Sequence, residues 1–242
     1  MSICIDQDKL PKLLSNYTGL AEFGEPEAKV WVCGIEPGGE AIDLKKQPSS
    51  NGPRYWQDSP EQDGNYPNTK WPYDQRVAKL LSAIEMLERV DTPPPNDLLE
   101  NWQHYIRHQI YRKDGSSFKL NLFPLPKPSD ASWPYSAITK ADYYALCMQY
   151  RFAFLKELKE KYRPKVIIGT GLMHQQSFFE AFGFKTGAKP SLVGCLMTFS
   201  AYDGETTLLV CPFFGRPMSN LKMIELAKKV HAIIHQTATR QT

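Results

Sequence analysis

The stretch KVWVCGIEPGGE, residues 29–40, constrains the chain most. Residues 30–33 form an apolar, β-branched run of the length of a buried strand. Gly34 stops the run, and Pro37, Gly38 and Gly39 then force a tight loop carrying two carboxylates, Glu36 and Glu40. A strand that ends this way delivers its acidic side chain to the carboxyl edge of a sheet, where open α/β folds bind their ligands. Glu36 is therefore the first candidate for chemistry. Taken alone, the same string also describes a β-turn with a solvated glutamate, and only the remaining strands can decide.

Three further short apolar runs, near residues 117–122, 165–169 and 206–211, alternate with segments of helical period. Residues 9–17 suggest a short helix, and 72–90 a helix with Val77, Leu80, Leu81, Ile84 and Leu87 on its inner face. A helix over 97–111 follows. Residues 140–162 read as one long helix whose apolar face is Tyr144, Met148, Phe152, Leu155, Leu158 and Tyr162, ended by Arg163-Pro164. Another helix opens near Leu172, and the last presents Leu221, Ile224, Ala227, Val230 and Ile234. Residues 192–201 and 206–211 pair as a hairpin around Asp203-Gly204. The order predicts one domain over residues 1–242. Its fold class is α/β, a three-layer α/β/α sandwich with a central four-stranded parallel sheet plus an antiparallel hairpin strand. The loops GIEPGG, NLFPLP, GTG and CPFFGRP share its active edge.

Composition narrows the function classes. A 42% hydrophobic and 23% charged chain is globular rather than disordered. No run approaches the ~20 apolar residues of a membrane span, and the first residues lack the order of a signal peptide, so a cytoplasmic address is expected. Five widely spaced cysteines read as buried thiols rather than disulfides or a metal site. His104 and His108 stand four apart but lack a third ligand, and a solvated polar face accounts for them. Gly169-Thr-Gly171 lacks the rest of a phosphate loop, and close strand-to-helix packing explains it. The net charge of +3 permits a nucleic-acid partner without requiring one.

Two features have a double reading. Residues 45–72 are rich in turn formers yet hold Tyr55, Trp56, Tyr66 and Trp71, which either stack on a flat ligand or anchor their own loop. Asn121, at the end of the second strand, offers the donor and acceptor that a nucleobase edge requires, or satisfies its own turn.

In order and context, these loops resemble the uracil-DNA glycosylase superfamily over about residues 28–235. GIEPGGE at 34–40 is similar to its water-activating loop, with Glu36 at the Asp or Asn position. LNLFPLP at 120–126 is similar to the strand-end segment whose Asn reads the base, and PKVIIGTG at 164–171 to the third strand. CPFFGRPMS at 211–219 stands where the second catalytic motif, of the His-Pro-Ser type, is expected. There are two departures. Cys211 and Phe213 replace the His and Ser, and Glu36 is one methylene longer than Asp.

The resemblance implies a DNA glycosylase that hydrolyses the N-glycosidic bond of a flipped-out base and leaves an abasic site. Glu36 would aim a water at the sugar and Asn121 would hold the base. Gly34, Ile35, Gly38, Tyr55, Trp56, Phe123 and Cys211 would line the substrate site, with Trp56 the preferred stacker. Gly39, Lys127, Phe214, Arg216 and Ser219 would meet DNA, with Phe214 as the wedge. The implied partner is single- or double-stranded DNA, met by a monomer without cofactor, metal or membrane. With the histidine replaced, the expected substrate moves toward a modified or damaged base with a bulky substituent, as in hypermodified phage DNA met by antiviral defence. A catalytically silent nucleic-acid-binding module of the same fold and a hydrolase of free nucleosides are the alternatives.

Overall fold

The computed structural model describes residues 8–41, 50–56, 70–90, 97–129 and 132–236. Four apolar strands make its centre: β2 (Val30–Gly34), β3 (Ser117–Asn121), β4 (Val166–Thr170) and β7 (Thr207–Cys211). They are parallel, with β2 between β3 and β4 and with β7 beyond β4. A short β1 (Phe23–Gly24) adds antiparallel to β3; β6 (Leu196–Tyr202) adds antiparallel to β7, and β5 (Pro190–Val193) to β6. The sheet therefore runs β1-β3-β2-β4-β7-β6-β5. The expected four parallel strands and hairpin strand are present, and the edges extend further than expected. Residues 192–201 do not form one strand, because Gly194 turns at φ +56° and folds the run into a second hairpin.

Side-chain alternation along the strands fills both faces. Val30, Val32, Val166, Ile168 and Leu209 pack beneath α2 (Pro72–Arg89) and α7 (Asn220–Gln236). Trp31, Phe118, Ile167, Leu208 and Val210 face α5 (Phe152–Tyr162) and α6 (Gln175–Ala181). The sandwich is thus three layers deep. The remaining helices are short: α1 (Leu10–Leu14), α3 (Trp102–His108) and α4 (Lys140–Leu146). The stretch expected as a helix over 97–111 resolves into a 3₁₀ turn at Asp97–Leu99 followed by α3.

Residues 140–162 are helical throughout but not uniform, since one π turn at Cys147–Arg151 joins α4 to α5. Tyr143 is buried before it and Cys147 at its start; Phe152, Leu155 and Leu158 are buried after it. The extra residue resets the helical phase. Tyr144 and Met148 therefore leave the expected apolar face, and Met148 is 53% exposed. On α7, Leu221 is likewise exposed, and Met223, Ile224, Ala227 and Val230 form the inner stripe. Arg163 closes α5 in the left-handed conformation, just before Pro164.

The π turn also carries a fully buried cation. Arg151 pairs with Glu22 at 2.6 Å and donates to the carbonyls of Asn121 at 3.1 Å and Asn16 at 3.4 Å. The second Glu22 oxygen accepts from the backbone N–H and hydroxyl of Thr18, at 3.0 and 2.9 Å. Nothing in the polar stretch before β2 had suggested this role.

Two expectations follow. Arg151→Met leaves Glu22 charged and unpaired in the core, and urea denaturation should show a loss of about 3–5 kcal/mol. Asp203 accepts from the N–H groups of Glu205 and Thr206, at 3.1 and 2.9 Å, and pairs with Lys159 at 2.7 Å. Burial works to raise its pKa, but Lys159 and the two N–H groups outweigh burial and lower it. A depressed carboxylate stabilises above the unfolded aspartate value of about 3.9 and ceases to as pH falls through its folded value. Asp203→Ala should therefore cost about 1 kcal/mol at pH 7, and the gap should narrow in the same denaturation assay as the pH falls below the unfolded aspartate value of about 3.9.

Candidate active site

Parallel pairing continues past the strand ends and brings two loops together. Gly34 stands opposite Asn121 in register. The N–H groups of Leu122, Phe123 and Lys127 then donate in turn to the carbonyls of Gly34, Ile35 and Pro37, at 3.1, 2.9 and 3.3 Å. The Tyr143 hydroxyl accepts from the Leu125 N–H at 3.0 Å, and the Tyr135 hydroxyl donates to the Pro126 carbonyl at 2.7 Å, so the proline loop is fixed from below. This track sets Lys127 against Glu36.

The Glu36 carboxylate is held at both oxygens. Oε1 accepts from the Tyr144 hydroxyl at 2.6 Å, and Oε2 pairs with Lys127 Nζ at 2.6 Å. The two paired side chains are 7% and 4% exposed, so water screens their attraction poorly. Burial disfavours the Lys127 charge, but the hydrogen bond and negative charge of Glu36 outweigh it and hold the ammonium above the usual lysine range. Burial, and then the same carboxylate, push the Tyr144 phenol up, so it remains a donor. Phe123 lies on the Tyr144 ring, 4.3 Å between centroids and 23° from parallel.

A cleft of about 600 Å³ opens beside this triad. Ile35, Glu36, Gly38 and Lys127 form one side; the loop from Gly171 to His174, together with Phe213 and Arg216, forms the other. A second hollow, of about 660 Å³, lies at the opposite edge among Lys29, Glu88, Arg112 and Ser116. The first is the candidate, because open α/β sheets bind ligands at the carboxyl ends of their strands.

Asn121 lies next door rather than in that wall. A Cβ placed on Gly34 would come within 2.5 Å of Asn121 Nδ2 and 3.3 Å of the Tyr73 hydroxyl, so both groups occupy the space over this glycine on the α2 side. Tyr73 meets Thr170 Oγ1 at 3.2 Å, and that hydroxyl donates to the Cys33 carbonyl at 3.2 Å. Burial pushes the Tyr73 phenol well up. Asn121 is 4% exposed, and its backbone carbonyl accepts from Arg151 at 3.1 Å. Phe213 joins the two places, lining the cleft while its ring centroid lies 5.9 Å from that of Tyr73.

The other expected residues divide. Ile35, Gly38 and Arg216 line the cleft with Glu36. Lys127 does too, but as the partner of Glu36 rather than as a surface contact for DNA. Phe123 sits beneath Tyr144, and Gly34 is the floor under Asn121. Cys211 lies at the end of β7 beside Thr170, its thiol wholly buried and pushed up by burial. Gly39 and Ser219 are exposed, with Ser219 just ahead of α7.

Two aromatic assignments are corrected. Phe214 is fully buried in the core, and its carbonyl accepts from Arg76, so the ring at the cleft is Phe213. Trp56 is a core residue, edge-on to Tyr111 at 4.9 Å, and serves as the loop anchor. Tyr55 is half-buried and does not line the cleft. Tyr66 lies outside the described residues; Trp71 is exposed at the start of α2. The glycines after β4 do serve close packing: Gly169 has no room for a Cβ under Phe178, nor Gly171 beside Ile35. Tyr73, Tyr144 and His174 were missed, because a tyrosine on a helix reads as core until its hydroxyl finds a partner.

Lys127→Met removes the cation from a buried carboxylate and should destabilise the protein by about 3 kcal/mol, measured by urea denaturation. Lys127→Arg should recover most of the loss. Comparison with models of known protein families and with curated proteins gives no match to this chain.

Proposed function

We propose that the chain is a monofunctional DNA N-glycosylase acting on a flipped-out base. What carries the reading is the placement of two polar side chains on adjacent strand ends: a carboxylate opening on a cleft and, over Gly34, an amide. An amide carries both a donor and an acceptor, which is what the edge of a base offers in return. The motif resemblance supplies the substrate class. Among the described residues no helix is long and apolar enough to cross a membrane.

The chemistry follows from the charges. A carboxylate has about four acceptor positions, and Tyr144 and Lys127 take one on each oxygen. The others are open to a water directed at the anomeric carbon. Lys127 and Tyr144 hold the Glu36 carboxylate in place, and its charge offsets the positive charge that grows on the sugar as the base leaves. Asn121 reads the base edge, and Phe213 provides the ring face. Tyr73, kept protonated by burial, donates to Thr170 Oγ1 and would have to turn that proton to the departing base to act where the resembled family uses an imidazole. Arg216, exposed at the rim, meets a phosphate or base.

The two-sided grip on Glu36 favours a second reading, a silent nucleic-acid-binding module in which the carboxylate is a structural ion pair. Incubation with oligonucleotides, phage DNA carrying modified cytosines and free nucleosides separates the cases. The glycosylase reading requires alkali-labile abasic sites in DNA; binding without cleavage selects the module, and release from monomers alone selects the nucleoside hydrolase. Glu36→Gln should lower base release at least about a hundredfold with DNA binding retained, and undiminished turnover would remove Glu36 from the mechanism. Asn121→Ala should blur discrimination between bases; an unchanged substrate profile would exclude it as reader.

A further inference from the structure

At the ends of α2 and α7 away from the cleft stands a cluster that the proposed reaction does not use. His231 and His235 are one turn apart on α7, with ring centroids 4.4 Å from each other. His235 Nε2 is 2.9 Å from Oε1 of Glu88, in the last turn of α2. One ligand atom from each of the three side chains falls within 4.8 Å of the other two. We propose that Glu88, His231 and His235 bind a divalent transition-metal ion of the zinc class and clamp α2 to α7.

The donor set and geometry suit that ion. Two imidazoles with a carboxylate favour zinc, nickel or copper over magnesium or calcium. Metal–ligand bonds of about 2.0–2.2 Å in a tetrahedron place ligand atoms about 3.4 Å apart. The Glu88–His235 pair is already closer than that, and the third atom, within 4.8 Å of both, needs a shift of up to about 1.4 Å, within reach of a side-chain rotation. Glu88 and His235 are 41% and 51% exposed, which leaves solvent to complete the shell. An ion pair between His235 and Glu88 would not need the second imidazole. The other histidine pair, His104 and His108, has the same spacing and a 4.6 Å ring separation, yet no carboxylate joins it at ligand distance among the described residues.

The consequence is mechanical rather than catalytic. Glu88 is about 22 Å along α2 from Tyr73, at the 1.5 Å rise of a helix. The two helices pack against each other, and a bridge at their far ends fixes the elements that present Tyr73 and follow the Arg216 loop.

The test uses the full chain without an affinity tag, stripped with a chelator. Titration calorimetry with zinc chloride should show one equivalent bound, and cobalt should give the visible band of a nitrogen and oxygen site. Zinc at a hundredfold excess over Kd should raise Tm by roughly 5–10 °C. His231→Ala and His235→Ala should each weaken binding about tenfold or more, while His104→Ala/His108→Ala should not. The proposal is overturned if zinc gives no saturable binding, if binding survives loss of His231 and His235, or if it disappears with His104 and His108. Circular dichroism of each variant separates lost ligation from lost fold.

Discussion

A guanidinium with no exposed surface ties together two parts of the chain that are far apart in sequence. Arg151 joins Glu22 from the stretch before β2, Asn16 from the turn after α1, and the carbonyl of Asn121 at the end of β3. A charge so deep persists only when it is paired with an opposite charge, and the π turn is what directs Arg151 inward. The carboxyl end of β3 is held from behind as a result. Asn121 and the loop that carries Lys127 both depart from that point, so this buried pair sets the position of everything at the edge.

From there the site is assembled by register. Because β2 and β3 pair in parallel and their loops keep hydrogen-bonding, Lys127 reaches Glu36 although ninety-one residues separate them in sequence. The low exposure of the pair makes their attraction strong enough to keep the lysine charged. Tyr144 arrives from α4 on the other side of the cleft floor. On the opposite face of the sheet Gly34 makes room for Asn121 and Tyr73, since any side chain there would displace the amide. Carboxylate and amide thus occupy adjoining compartments, with Phe213 at their boundary.

Local pattern was a good guide wherever burial follows from composition. The runs near residues 30, 119, 167 and 209 are apolar enough to have no other home than the centre of a sheet, and Asp203-Gly204 supplies a turn whatever surrounds it. It failed where one residue changes the phase. A single extra residue between Cys147 and Phe152 turned Met148 outward. The choice between Phe213 and Phe214 is a choice between cleft and core that two adjacent identical residues cannot express.

The sequence by itself determined the sandwich, the parallel centre, and the placement of Glu36, Ile35, Gly38 and Arg216 at one edge, because hydrophobic periodicity and strand-ending glycines act over a few residues. Only the tertiary structure decided that Glu36 is gripped by Lys127 and Tyr144, that Trp56 belongs to the core, that the Asn121 amide lies over Gly34 with the Tyr73 hydroxyl, and that Glu22 neutralises Arg151. Those facts depend on which charges and rings meet across long loops. Such meetings are fixed by burial and register and leave no mark on neighbouring residues in the chain.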